Sequence, residues 1–559
     1  MRQTLLTIVI TLAAVFVLVS PLWRSGVFDE QGNLLFDGGA TFYDAGVHLS
    51  LIGEMQHRFP PTNFAFGGAS LKNYHYFYDL LLAGIVKISH VSYLDLYYRF
   101  APIALSVLLS MAIYLTTFTL TKNRLTASLA IFFTVFGTSF GALTMRGTNN
   151  VFMTDQIYDM MVNPQGVLSL IVFLSLFLLL NTYEKSRKRF LMFLFAGLLA
   201  VSFGIKAHGG VVFAAGASFC AIWLLFRNRD YFAGLMTLLG LGGLGVWVLA
   251  NLDGSAVGIK FAPLWLLDRL MGDYERLYRT DYYQQIENAR FAQSWLHLIV
   301  LYVQAFMVYL FGSMGLRLLG LLPALSKIES WRKISIAEAF LFSCGAVSFL
   351  IPVFFYQGVK PFDIIQFTPY FTLLSGIGFT IVVCSLLAKV RYRTVRLLVL
   401  VGLAVIFLFL DKREILARRN YLSYDRVEVR QTPDGEFLRG NQRAIMAPVV
   451  EAMDYINRNT SPEAIFLLAP TKSNLGTLWF SAIAGRRTVY SGEFFPFQVG
   501  LDVSEAKNHL LKIFSAEWVD PEFDFVFLRR SEMPEFGKII DKYRLRPVFE
   551  NKEALVLKR

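Results

Sequence analysis

Apolar residues fall in long uninterrupted runs over the first 411 positions and in short patches after them. A helix needs about 20 predominantly apolar residues to cross the hydrocarbon of a bilayer. A window of about that length finds runs at 4–23, 100–121, 125–142, 166–183, 190–206, 208–226, 231–252, 291–312, 336–353, 364–388 and 395–411. The pattern predicts a mainly α, polytopic membrane protein with about eleven transmembrane helices. The first run follows a charged start, lacks a small-x-small cleavage site and is long enough to span, so an uncleaved signal anchor is expected. Beyond position 411 charges become frequent. There Glu451–Arg458 has an amphipathic helix pattern, and 464–468, 524–528 and 554–557 look like short strands. The expected organisation is a transmembrane domain over 1–411, with a first external loop at about 24–99, and a small extracytoplasmic α/β domain over 412–559.

Composition agrees with the pattern. Of 559 residues 55% are hydrophobic and 17% charged, against about 25% charged in soluble domains. The formal charge of +12 does not point to nucleic acid, because Lys and Arg sit between apolar runs rather than on one polar face. The clusters Lys122/Arg124, Lys185–Arg189, Arg227/Arg229, Lys327–Lys333 and Lys389–Arg396 fall on alternate turns, on the side of Arg2. By the positive-inside rule that side is cytoplasmic, which places the N-terminus inside. The first loop, 143–165, 253–290, 356–363 and the tail are then expected outside. Cys220, Cys344 and Cys384 lie in apolar runs without metal-ligand spacing and read as buried small hydrophobes. The one Gly-x-Gly-x-x-Gly match, Gly240–Gly245, lies inside a span and reads as close helix packing rather than a dinucleotide turn.

The chain has no Gly-x-x-x-x-Gly-Lys-Ser/Thr, His-Glu-x-x-His or Asp-x-Asp, so a P-loop ATPase or a soluble-type nucleotide-sugar transferase has no support. Chemistry-bearing residues concentrate in the first loop, as expected of an enzyme at the membrane surface. Asp44 and His48 are four apart in a stretch with Val47, Leu51, Ile52 and Met55, so a helix would carry both on one face, as a base steadied by an imidazole. The alternative for Asp44 is a helix cap or a solvated charge. Tyr74, His75, Tyr76, Tyr78 and Asp79 form a second candidate, either a platform for sugar rings or an interfacial aromatic belt. Cations able to grip a phosphate are Arg146, Lys206 with His208, Arg276 with Arg279, and Lys360. Lys206 lies in apolar surroundings, where a charge is costly and normally has a functional partner. Lys360 has the alternatives of pairing with Asp363 or snorkelling to headgroups. Asn163–Gly166 opens a span whose N-terminus can receive an anion.

Three regions carry a family resemblance: the first loop in 42–48, 59–68 and Tyr74–Asp79, the entry to a late span in Lys360–Phe367 with Asp363 and Gln366, and the tail in Ser481–Tyr490. The layout resembles the GT-C superfamily of integral membrane glycosyltransferases, which includes protein O-mannosyltransferases, aminoarabinose lipid A transferases and oligosaccharyltransferase catalytic subunits. That resemblance implies inverting transfer from a polyprenyl-phosphate sugar to a lipid, glycan or protein acceptor, at a bacterial plasma membrane among its lipids. It casts Asp44 as base on the acceptor hydroxyl and membrane-facing cations as partners of the departing phosphate. Several families of the superfamily carry two adjacent acids here, whereas Asp44 is followed by Ala45. A metal bridged by paired acids is therefore not expected, nor any other cofactor, and Glu54 or Asp79 is the candidate substitute for the second acid. The competing classes are a transporter or flippase of a lipid-linked glycan and a non-catalytic assembly protein. The first should show repeat symmetry or paired broken spans, which the sequence lacks.

Overall fold

A computed structural model describes residues 2–37, 40–67, 69–144, 149–253, 258–323, 334–358, 360–410, 429–431, 437–439, 442–469, 474–492, 495, 499, 501, 503–515, 523–530 and 533–559. The chain is mainly helical and forms two compact units. One comprises Met1–Ser20, Ile103–Ala250 and Gly258–Asn420, the other Pro21–Pro102, Asn251–Val257 and Tyr421–Arg559.

In the first unit each expected apolar run forms a helix over most of its length, though the run at 4–23 is α-helical only to Val19 and that at 125–142 only to Val135. Among the described residues, eight helices are long and apolar enough to cross a membrane, including Tyr93–Thr121, Pro164–Ser186, Ala207–Arg227 and Pro361–Ala388. Gln3–Val19, Arg124–Val135 and Phe190–Ile205 are shorter apolar helices. This is a multi-pass membrane protein. Helix ends are closed by side chains, since backbone groups away from water need partners. Ser335 and Glu338 form a reciprocal capping box, each bond 3.1 Å, at the start of Ile336–Phe354. Glu184 takes the next two amides, of Ile336 at 2.7 Å and Ala337 at 3.3 Å. Gly240 and Gly243 face Ala196 and Ala200 of the neighbouring helix, the close packing expected of that motif, while Gly242 and Gly245 meet no atom within 4 Å of a would-be Cβ. Cys220 and Cys344 are buried as expected, and Cys384 only half so.

Of the stretch 143–165, expected outside, the described residues 149–165 are largely built into the core. Its short 3-10 turns Asn149–Phe152 and Ile157–Val162 bury Val151, Met153, Thr154, Gln156 and Ile157. Val151–Met153 pack with Leu266, Leu270, Tyr309 and Phe349. Irregular backbone is tolerated in a membrane domain when protein surrounds it, and polar side chains complete the enclosure here. Thr368 Oγ1 accepts the Asp155 amide at 3.1 Å, and fully buried Arg317 donates to Gln156 Oε1 at 2.5 Å.

The second unit corrects the expected domain boundary. The first loop folds with the tail, because Leu34–Asp37 is antiparallel to Gln442–Ile445 with Leu34 opposite Ile445. These strands sit inside a five-stranded sheet that runs Val27–Phe28, Leu34–Asp37, Gln442–Ile445, Phe437–Arg439, Val429–Gln431. Phe36 packs on fully buried Trp479, ring centres 3.9 Å apart. The tail is the expected α/β fold. Its mixed sheet runs Arg546–Glu550, Ala554–Lys558, Phe525–Arg529, Ile465–Leu468, Arg487–Thr488; the last three are parallel to one another, and Phe525–Arg529 is antiparallel to Ala554–Lys558. Leu467, Val526, Leu528, Leu555 and Leu557 bury one face against Leu510, Ile513 and Ile539 of the helices.

Candidate functional site

Helix Ala40–Met55 carries both residues first singled out. His48 is buried, and its bond goes to another helix. Its Nδ1 lies 2.8 Å from Asp79 Oδ1 in Phe77–Ser89, both side chains almost wholly buried. The expected Asp44–His48 dyad is thus replaced by a His48–Asp79 pair. The i,i+4 spacing does set Asp44 and His48 on one helix face, but an imidazole with a buried carboxylate opposite binds that carboxylate. Tyr97 stacks on the His48 ring at 5.8 Å, with Tyr74 and Tyr78 at 6.2 and 6.3 Å. Burial pushes the Asp79 carboxyl above its ordinary value, opposed by the charge and hydrogen bond of His48. Asp79 Oδ2 is buried without a hydrogen-bond partner among the described residues. Asp44 is half-buried, and its charge, after burial and Asp79, helps raise the Tyr74 phenol.

The rest of the aromatic run divides. His75 stacks on Tyr74 with ring centres 5.0 Å apart, while Tyr76 is buried and packs on Phe59. Glu54, a candidate substrate contact, is buried. It accepts the Thr62 hydroxyl at 2.5 Å and lies 3.9 Å from Arg58, which is paired with Glu463.

The second cluster lies in the membrane unit. Lys206 is the single extended residue, φ −156° and ψ 117°, between helices Phe190–Ile205 and Ala207–Ile222, and it is buried. The hairpin closes this tightly because Gly209 and Gly210 leave room. A Cβ on Gly209 would collide with Ser169 Oγ and lie 2.5 Å from Tyr370 OH, and one on Gly210 would lie 2.6 Å from Phe203 Cα. Asp155, which the sequence did not single out, shares this environment. Burial raises its carboxyl to about 6, with Lys206 pulling it down and Asp363 pushing it up. His208 lies against the Asp363 backbone and the Gln357 side chain and meets Phe367 edge-on at 4.8 Å. Its Nδ1 and the Oε1 of Gln366 are buried without hydrogen-bond partners among the described residues.

The other cations fall elsewhere. Lys360 is half-buried just before the turn Pro361–Phe367, where its carbonyl accepts the Asp363 amide at 3.0 Å. Arg276 lies 5.3 Å over the Phe362 ring, and exposed Arg279 is paired with Asp281 at 3.3 Å. Arg146 lies outside the described residues. Among the described residues no group of three or more His, Cys, Asp and Glu side chains is placed to hold a metal ion.

No protein-family model matches the sequence, and no curated protein matches it. Solved structures do. The oligosaccharyltransferase of Archaeoglobus fulgidus, solved with Zn and sulfate, is similar over 94% of this chain and 68% of its own, with 16% identity and a TM-score of 0.52. The chain shares the fold of that protein. A weaker likeness, TM-score 0.46 at 11% identity, links it to ArnT of Cupriavidus metallidurans bound to undecaprenyl phosphate, covering 99% of this chain and 97% of that one.

Proposed function

We infer that this protein is an inverting membrane glycosyltransferase that moves a sugar from a polyprenyl-phosphate donor to a lipid, glycan or protein hydroxyl at the outer face of a bacterial plasma membrane. The observation that carries the reading is the Lys206 cluster. A buried ammonium at a hairpin tip, beside a His208 Nδ1 that has no hydrogen-bond partner among the described residues, suits a phosphate ligand. A cation removed from water is stable beside anions, and unmade buried hydrogen bonds favour a polar guest. The GT-C fold supports the same reaction class.

In this reading the acceptor oxygen attacks the anomeric carbon as its proton passes to the Asp44 carboxylate. The bond from that carbon to the phosphate oxygen breaks, and polyprenyl phosphate leaves with its charge opposed by Lys206. Asp155 feels the Lys206 charge, which opposes the rise of its carboxyl. His48 and Asp79 fix the helix that presents Asp44 rather than taking the proton themselves.

The test is consumption of undecaprenyl-phosphate sugars by purified protein in detergent. Lys206→Met removes a charged hydrogen bond worth ~1.5–3 kcal/mol, so kcat/KM for the donor should fall roughly 10- to 150-fold. Wild-type donor use in that variant sinks the assignment.

A further inference from the structure

The membrane unit holds a cavity of about 590 Å³ between helices Trp265–Gly272 and Thr280–Phe291 and the strand Phe355–Gln357. Its size lies within the ~300–1,000 Å³ of small-molecule sites. Trp265, Tyr283 and Tyr356 supply aromatic surface, and Asp268, Asp273 and Arg269 supply polar groups. The aromatic wall is fixed in place. The Trp265 indole donates to the Phe355 carbonyl at 2.5 Å and meets the Tyr356 ring at 5.8 Å, so its N–H is engaged and its rings serve as surface. Gly272 lets the Tyr283 ring approach, since a Cβ there would lie 3.1 Å from it. Asp268 is oriented from behind by Tyr302 at 2.8 Å and Arg290 at 2.9 Å, and Asp273 accepts the Glu275 amide at 3.0 Å.

Flat apolar faces combined with oriented carboxylates and one guanidinium match a ring that is apolar on its C–H face and hydroxylated at its edge. A phosphate is disfavoured, because two carboxylates line the cavity against one exposed Arg269. We propose that this cavity is a pyranoside-binding subsite, with Trp265 as stacking platform and Asp268 and Asp273 as acceptors of ring hydroxyls. It deepens the transferase reading and rests on it for the source of the glycan, whether the donor's sugar or a sugar of the acceptor.

The experiment is saturation-transfer NMR on the full chain in nanodiscs, with the methyl glycosides of glucose, mannose, galactose and N-acetylglucosamine. At least one should receive saturation at its ring C–H protons. Trp265→Ala should reduce the signal at least threefold, and Trp265→Phe, which keeps a ring, by less. Asp273→Asn, which retains an acceptor oxygen for the Glu275 amide, should also reduce it, and inorganic phosphate should not compete. Competition by undecaprenyl-phosphate sugar but not by undecaprenyl phosphate assigns the site to the donor, and no competition assigns it to the acceptor. Absence of transfer to all four glycosides, or an unchanged signal in a folded Trp265→Ala protein, overturns the proposal. Sugar binding without turnover would defeat the transferase reading and leave the subsite standing, whereas turnover with none of this binding would do the reverse.

Discussion

Gly209→Ala tests whether the Lys206 hairpin is held by close packing. The added Cβ would strike Ser169 Oγ and lie 2.5 Å from Tyr370 OH, two groups hydrogen-bonded to each other at 2.7 Å. These belong to helices Pro164–Ser186 and Pro369–Ala388, so relief requires moving a helix or breaking that bond. Overpacking costs ~1–3 kcal/mol, and a lost buried hydrogen bond adds ~0.5–1.5 kcal/mol, so the variant should lose roughly 2–4 kcal/mol. Unfolding by SDS titration in mixed micelles measures it. Ser169→Ala in the same chain removes the nearest obstacle and should recover about half of the loss, a non-additivity expected of touching groups. A Gly209→Ala protein within ~0.5 kcal/mol of wild type, or one that Ser169→Ala fails to rescue, refutes the reasoning.

Asp44→Asn keeps the shape and removes the proposed base, so turnover should fall ~10²–10⁴-fold with melting unchanged, whereas retained turnover removes that role. If the Asp155 carboxylate is needed in ionised form, kcat/KM should fall as pH drops through about 6. Lys206 lowers that value, so residual activity in Lys206→Met should show its acid limb at higher pH, and an unmoved limb separates the two residues. His48→Leu strands a buried Asp79 carboxylate and should cost ~3–5 kcal/mol near neutral pH. Burial already raises Asp79, so the protonated form is the better tolerated one. The loss should therefore shrink as pH falls and Asp79 protonates, and a pH-independent loss argues against a charge origin.

The spans were legible in the sequence because hydrocarbon imposes length and continuity on them: the run read at 166–183 is the helix Pro164–Ser186, and that at 336–353 is Ile336–Phe354. Lys206 stood out for the same reason, as a cation in apolar surroundings. The pairing of first loop and tail did not, since Leu34–Asp37 and Gln442–Ile445 are too short to carry a period and lie some 400 positions apart. Spacing pointed from His48 to Asp44, but the partner came from a different helix, which periodicity along one helix cannot reveal. Asp155 was missed because its segment lacks helical or strand periodicity, although one acid between Val151–Met153 and Ile157–Tyr158 is the same signal that exposed Lys206.

The strand pairing of Leu34–Asp37 with Gln442–Ile445 sets an order of events during biosynthesis. A ribosome adding ~5–20 residues per second reaches the second strand about 20–80 s after the first has been made. Throughout that interval the strand next to the Asp44 helix has an open edge, and Phe36 lacks the Trp479 ring it packs against. Maturation of the loop that carries Asp44 and His48 is thus timed by the arrival of the tail. A chain stopped before position 442 would insert its helices yet leave that loop without its sheet partner, a clear substrate for quality-control proteases.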